Sequence, residues 1–150
     1  MTCSAIMTPN PKTVRESETI GEAARLIVEE GCISLPVVDS EGRFVGLFGL
    51  YDLLGLLVPR VAVIGNLLPN LRFMSDDIGD LRQVFAKLKD RSLRRAINRE
   101  AASVYPETPI VDALRLLARN HMTVPVVNRE TQVLVGIVSY WDAARAILTR

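Results

Sequence analysis

An internal repeat constrains this chain more than any other feature of its sequence. Residues 5–54 and 95–144 align at an offset of 90, which falls to 89 over a short stretch in the middle. The matched pairs include Pro36 with Pro125 and Asp52 with Asp142. Two similar units in one chain favour a pseudo-twofold pairing, in which each unit buries a face that the other exposes.

The composition is that of a globular protein with no strong electrostatic field. Of the 150 residues, 49% are apolar and 23% are charged, and 18 basic against 17 acidic side chains leave a net charge of +1. This near-neutral charge argues against a nucleic-acid partner. A local basic cluster of Arg91, Arg94, Arg95 and Arg99 keeps nucleic-acid binding as a less favoured alternative to a solvated helix face.

Cysteine usage and hydropathy together predict a cytoplasmic protein. Cys3 and Cys32 are the only cysteines, and their positions do not suggest a structural disulfide. The first residues lack the pattern of a signal peptide. The most apolar stretch, residues 44–68, is interrupted by Asp52, Pro59 and Arg60, so we expect no membrane insertion.

Each copy reads as β-α-β-β-α. In the first copy, Thr19 and Glu22 have capping-box spacing before a helical apolar stripe that ends near Gly31. Apolar runs 35–38 and 44–48 predict a hairpin, and a helix over residues 50–57 follows. In the second copy, Thr108-Pro109 is predicted to start the helix, residues 124–127 and 134–138 are the strands, and the last helix covers 140–148.

The connection between the copies predicts a helix of its own. Ser75 or Asp76 would cap this helix, and an apolar stripe would cover the core or a partner. The stripe consists of Ile78, Leu81, Val84, Phe85 and Leu88. We therefore expect an α/β (α+β) protein with one repeat at residues 1–57, a helical linker at 58–94 and the second repeat at 95–150, packed about a pseudo-twofold axis.

Four features in order resemble the CBS domain family, named after cystathionine β-synthase. They are Met-Thr near the start, an Ala-rich helix, Leu-Pro-Val-Val-Asp, and the phrase Gly-x-x-Ser/Thr-x-x-Asp at the end of the second strand. The resemblance covers both halves but not the linker. The second copy departs from the pattern, with Ile97-Asn98 in place of Met-Thr and Asn128 in place of the aspartate.

The resemblance implies a tandem pair, or Bateman module, that binds adenosine-containing ligands in clefts between the copies. Such ligands include AMP, ADP, ATP and S-adenosylmethionine. In this family the Ser/Thr of the phrase reaches phosphate and the aspartate reaches the ribose, which places Ser139 with Asp142 in one cleft and Asp52 in the other. Gly49 replaces the hydroxyl in the first copy, so we expect tighter binding at Asp142. The implied base pockets are formed by Thr13, Val14, Leu35, Pro36, Ser103, Val104, Val124 and Pro125.

Elementary chemistry is consistent with this division of roles but does not require a ligand. A carboxylate accepts from two vicinal hydroxyls, and a hydroxyl at a helix N-terminus suits a phosphate. However, Ser139 and Asp142 also have the spacing of a capping box, which satisfies helix N–H groups without any ligand. Tyr140 and Trp141 could stack on an adenine, although burial of at least one of them against the core is the favoured interpretation.

The residues give no indication of an enzyme. No catalytic residue, metal site or required cofactor is predicted, and a Cys32–His121 pair at matched positions is a weak candidate because no second ligand set accompanies it. We expect a stand-alone regulatory module that binds an adenosyl ligand, forms a homodimer and signals to an enzyme, transporter or kinase. The alternative is a ligand-independent interaction scaffold.

Overall fold

Two three-stranded sheets, one in each half, form the frame of the molecule. The computed structural model describes residues 1–57, 78–120 and 123–149. One sheet has the order β2-β3-β4, with β2 (Val14–Arg15) parallel to β3 (Ser34–Val38) and β3 antiparallel to β4 (Phe44–Gly49). The other has the order β1-β6-β5, formed by Thr8–Pro9, Leu134–Val138 and Val124–Val127.

Six α-helices accompany the sheets in the described part of the chain. They are α1 (Cys3–Ile6), α2 (Ile20–Glu30), α3 (Leu50–Leu57), α4 (Ile78–Leu88), α5 (Ile110–Asn120) and α6 (Tyr140–Leu148). Val104 makes a parallel bridge to Val126, as Val14 does to Val37 in the first copy. The predicted β-α-β-β-α order and the mixed α/β class are therefore confirmed.

Local sequence accounts for the ends of α2. The Thr19 hydroxyl accepts from the Glu22 N–H at 3.1 Å, while the Glu22 side chain pairs with Arg25 instead of closing the box. Gly31 ends the helix with φ at 60°, a left-handed conformation that glycine adopts without a Cβ penalty.

The start of α5 differs from the prediction. The helix begins at Ile110, so Pro109 stands where Thr19 stands in the first copy. The Thr108 hydroxyl accepts from the Tyr105 N–H at 2.9 Å, which closes the preceding turn rather than capping the helix. The predicted caps of α4, Ser75 and Asp76, lie outside the described residues.

Each half has its own apolar core, and each core includes residues from the start of the other half. The core of the first half contains Phe48 and Ile27 together with Leu93 and Ile97. The core of the second half contains Cys3, which is fully buried. These contacts cross the predicted ranges 1–57 and 95–150, whose boundaries stay a prediction.

The segments that contribute to the core of the other half also complete its sheet. Thr8 pairs with Ile137 at the edge of the second sheet, and Asn98 bridges Leu47 at the edge of the first sheet. Thr8 and Asn98 occupy matched positions in the repeat. The edge position of each sheet is therefore filled by the opening segment of the other copy.

Matched residues also meet at the middle of the molecule. The Ser34 hydroxyl lies 3.2 Å from that of Thr123, and Arg43 bridges Val133. Both pairs are equivalent positions of the two copies. Contacts between equivalent residues are what a pseudo-twofold axis produces, so the predicted packing is confirmed.

Candidate functional site

The carboxylate of Asp142 is buried in a network of donors at the start of α6. Asp142 is 3% exposed. Its Oδ2 accepts from the Ser139 N–H and the Ser139 hydroxyl, both at 2.8 Å. Its Oδ1 accepts from the Thr8 hydroxyl at 2.8 Å and from the Arg145 guanidinium at 2.7 Å. The Ser139 hydroxyl in turn accepts from the Asp142 N–H at 3.2 Å, which completes a capping box.

The carboxylate of Asp52 has a different environment at the matched position of α3. It is half-buried, and its Oδ2 accepts from the Gly49 N–H at 2.9 Å. Burial raises the pKa of the Asp52 carboxyl above its ordinary value of 3.8, and the backbone N–H groups of Gly49 and Asp52 oppose this effect. Asp52 is thus less buried than Asp142, which is 3% exposed.

A cavity of about 260 Å³ opens between the two halves on the first-copy side. Leu47 contributes one wall from β4, two residues before the N–H that holds Asp52. The segment before Val104 contributes another wall, and the start of β5 contributes the third. The residues of these two walls are Asn98, Glu100, Ala101, Ala102, Thr123 and Val124.

The predicted base-pocket residues divide into two sets, one in each sheet. Thr13, Val14, Leu35 and Pro36 belong to β2, β3 and their approach, while Ser103, Val104, Val124 and Pro125 take the same places in the second copy. Thr13 and Ser103 are half-buried, and the other six side chains are buried. Of the eight, only Val124 lines the cavity, so their role in a base pocket stays a prediction.

Sequence reasoning did not select several residues that the fold brings to these sites. Thr8 and Arg145 complete the Asp142 network, and Asn98, Glu100 and Thr123 line the cavity. Thr8 belongs to the Met-Thr pair, and the repeat alignment matches it with Asn98. That alignment marks the two positions as equivalent, but it carries no information on which aspartate Thr8 reaches.

The aromatic residues of α6 and the predicted Cys–His pair are the remaining candidates. The Tyr140 hydroxyl donates to the Leu117 carbonyl at 2.7 Å, and Trp141 is 76% exposed, so neither is buried as predicted. Cys32 is half-buried, and burial raises the pKa of its thiol. His121 lies outside the described residues, and the predicted Cys–His pair with it.

The basic cluster after α4 is partly neutralised by one carboxylate. Arg94 and Arg99 each lie 3.9 Å from Glu16. The two arginine side chains are at least half exposed, so their ion pairs with Glu16 contribute little to the stability of the fold. Among the helices that the structure describes, none combines the length and the apolar character needed to cross a membrane.

The sequence model of the CBS domain matches residues 3–59 and 88–149. These ranges include both copies, both aspartates and the segments that complete the sheets. The chain therefore belongs to the CBS domain family and carries a tandem pair of its domains.

Comparison with known proteins gives relatives of the same architecture. The chloroplastic CBS domain-containing protein CBSX2 of Arabidopsis thaliana is 29% identical over 152 residues, covering 98% of this chain and 63% of CBSX2. The crystal structure of CBSX2 in complex with AMP is similar with a TM-score of 0.72 and 27% identity, covering 98% of this chain and 96% of that chain.

The same module also forms part of longer proteins. A homoserine O-acetyltransferase of Methanococcoides burtonii is 27% identical over 143 residues, which are 95% of this chain but 23% of that protein. The chain thus spans less than two thirds of the length of either curated relative.

Proposed function

We propose that this chain is a regulatory module that binds an adenosine-containing ligand in the cavity beside Asp52. The observation that carries this proposal is the cavity itself, which opens between the two CBS domains and has Leu47 in its wall, two residues before the Gly49 N–H that binds Asp52. Its volume of about 260 Å³ is close to the lower end of the range for small-molecule pockets. The AMP complex of CBSX2 supports the choice of ligand class.

The chemistry of the Asp52 carboxylate suits a ribose. One lone-pair site of Oδ2 is taken by the Gly49 N–H, and a carboxylate offers about four such sites. The two neighbouring hydroxyls of a ribose can both donate to the remaining ones through charge-assisted bonds. Backbone groups of the segment 100–102 and of Val124 would then contact the base.

The charge of the cavity wall favours a ligand with few phosphates. Glu100 is acidic, and the residues known to line the cavity include no lysine or arginine. Gly49 also provides no hydroxyl for a phosphate. We therefore take AMP as the probe and expect ATP to bind more weakly, because its triphosphate would be repelled by Glu100.

Melting with and without AMP tests the proposed function. A ligand at about 100 times its Kd stabilises the folded state by about 2.7 kcal/mol, which corresponds to a rise in Tm of about 5–10 °C for a domain of this size. We expect this rise for the wild type and not for Asp52→Ala. Asp112→Ala is the matched control, because Asp112 is also an acidic residue in the first turn of a helix.

A partner surface is the second part of the proposal. An apolar groove of about 640 Å³ lies between α2, α3 and α4, with Val28, Leu54 and Phe85 among its residues. Val28 and Leu54 are 75% and 52% exposed and belong to one contiguous apolar surface, which is a feature of interaction sites. We propose that a second copy packs here to form the homodimer, that an effector protein responds to the ligand, and that both act in the cytoplasm.

The alternative function is an interaction scaffold without a ligand, which the same groove would also serve. The melting experiment separates the two functions. A Tm that is unchanged by millimolar AMP, ATP and S-adenosylmethionine would contradict the nucleotide sensor and favour the scaffold.

A further inference from the structure

We infer that the two crevices of the pair have diverged, and that the chain's own N-terminal segment closes the crevice beside Asp142. The chain then takes a single adenosyl ligand, at Asp52, although both CBS domains carry the aspartate. The inference rests on the proposed function and goes beyond it, because it assigns the ligand to one crevice and names the residue that closes the other.

The first step is the saturation of the Asp142 carboxylate. A carboxylate offers about four lone-pair sites, two on each oxygen. Ser139 fills two sites on Oδ2 with its N–H and its hydroxyl, and Thr8 and Arg145 fill two on Oδ1. All four donors lie within 2.8 Å. A ribose can bind this carboxylate only if it displaces a donor that the protein already supplies.

The second step is a comparison with the matched positions of the first copy. The three side chains that donate to Asp142 are Thr8, Ser139 and Arg145, and their counterparts at the offset of 90 are Asn98, Gly49 and Gly55. Neither glycine has a side chain to donate. Among the described contacts, Asp52 keeps only backbone donors, with Gly49 the partner outside its own residue.

The third step concerns Asn98, the counterpart of Thr8. Both residues pair with the strand that leads to the aspartate, since Asn98 exchanges backbone bonds with Leu47 and Thr8 pairs with Ile137. The Asn98 side chain, however, accepts from the Glu100 N–H at 3.2 Å, within its own segment. The same backbone arrangement therefore leaves a cavity beside Asn98 and a side-chain contact with the aspartate at Thr8.

The fourth step identifies Thr8 as the residue that keeps a ribose from binding Asp142. Arg145 has a side chain that is 64% exposed, so water can solvate its guanidinium when the donor of a ligand takes its place on Oδ1. Thr8 is fixed by the pairing of β1 with β6, and the segment before it is anchored by the buried Cys3. This backbone pairing holds the Thr8 side chain beside Asp142, where one staggered rotamer directs its hydroxyl at Oδ1.

Isothermal titration with AMP tests the inference through stoichiometry. The wild type is expected to bind a single molecule per chain, and Asp52→Ala is expected to bind none. Thr8→Val removes the hydroxyl at nearly constant volume, so we expect a second molecule to bind. The double variant Thr8→Val with Asp52→Ala should bind a single molecule again, in the second crevice.

Two control variants separate the hydroxyl from general effects of substitution. Thr8→Ser retains the donor and should keep the wild-type stoichiometry. Thr2→Val removes a hydroxyl from the same segment that contacts Ser4 rather than Asp142, so it too should bind a single molecule. Thr8 is exposed, and circular dichroism of Thr8→Val checks that the variant folds.

The outcomes distinguish this inference from the proposed function. Two molecules bound by the wild type, or a single molecule bound by both wild type and Thr8→Val, would overturn the inference and leave the proposed function standing. Retained binding in Asp52→Ala would also overturn it, because the ligand would then occupy the crevice said to be closed. Binding to none of the variants would overturn the proposed function, and the inference would fail with it.

Discussion

Asp52 and Asp142 occupy matched positions, but their carboxylates accept hydrogen bonds from different sets of donors. Sequence alone identified both residues through the phrase Gly-x-x-Ser/Thr-x-x-Asp, and it led us to expect tighter binding at the complete Ser139–Asp142 pair. The structure places a Thr8 hydroxyl on Asp142 and leaves Asp52 half-buried, and the tighter binding at Asp142 stays a prediction that the titration of Asp52→Ala tests. A contact between residues 134 positions apart depends on tertiary packing, so the motif could not predict it.

The raised pKa of Asp52 predicts how stability depends on pH. Because burial raises this pKa above 3.8, the neutral carboxyl is the form that the fold favours. The contribution of Asp52 to stability is thus fully present below the unfolded pKa and is lost as pH rises through the folded pKa. We expect Asp52→Asn to become more stable relative to wild type between about pH 3 and pH 7, as measured by urea unfolding.

The affinity for AMP should increase as pH rises, whereas the contribution of Asp52 to stability decreases. Ribose hydroxyls donate to the ionised carboxylate, so AMP should bind the wild type less tightly as pH falls through the Asp52 pKa. The second phosphate ionisation of AMP, at about pH 6, belongs to the ligand, and adenosine, which has the ribose but no phosphate, shows the dependence on Asp52 alone. For the stability prediction, the contradicting result is a wild-type profile that matches that of Asp52→Asn at every pH, because the pKa of Asp52 would then not be raised in the folded state.

At the scale of elements, sequence predicted the helices and strands well where local signals act alone. The predicted bounds of α3 and α6 match the structure, and Gly31 ends α2 as expected. The predicted start of α5 was wrong because Thr108 is a typical N-cap residue and Pro109 is typical of the first helical position. Only the repeat alignment, which matches Pro109 with the N-cap Thr19, indicates the observed start. The edge positions filled by Thr8 and Asn98 come from distant segments, and no local pattern marks them.

Matched glycines in β4 and β6 predict unequal tolerance to alanine. A Cβ at Gly46 would collide with the Asn98 carbonyl and the Ile97 side chain, where backbone would have to move. A Cβ at Gly136 would meet the Met7 sulfur at 2.6 Å, near the flexible end of a long side chain, and the Thr8 carbonyl oxygen at 3.0 Å, which is a less severe backbone contact than the one at Gly46. We expect Gly46→Ala to cost about 2–3 kcal/mol and Gly136→Ala about 1 kcal/mol or less.

Urea unfolding of the two variants measures this difference, and Gly55→Ala is the control. Gly55 lies in α3 with nothing within 4 Å of an added Cβ, so alanine should stabilise the helix by about 0.5–1 kcal/mol. Equal losses for Gly46→Ala and Gly136→Ala would show that the crossing segment at Asn98 can shift as easily as Met7 does.

At the scale of the whole molecule, the exchanged segments join two small cores into one structure. Leu93 at the end of the linker and Ile97 at the start of the second copy complete the first core, and Cys3 at the start of the chain completes the second core. The hairpins are also bonded to each other, with the Phe44 N–H donating to the Gln132 carbonyl at 3.0 Å. Unfolding of either half therefore exposes part of the other core.

This coupling predicts a single unfolding transition that responds equally to damage in either half. Ile27 and Leu117 are matched core residues, 1% and 2% exposed, and alanine at either should cost about 2–4 kcal/mol. Calorimetry should show one transition in each variant. Hydrogen exchange gives the local test, because Ile27→Ala should accelerate the slowest amides of β6 as much as those of β3. Faster exchange confined to the mutated half, with a second transition left at the wild-type Tm, would mean that the two domains unfold independently despite the crossing segments.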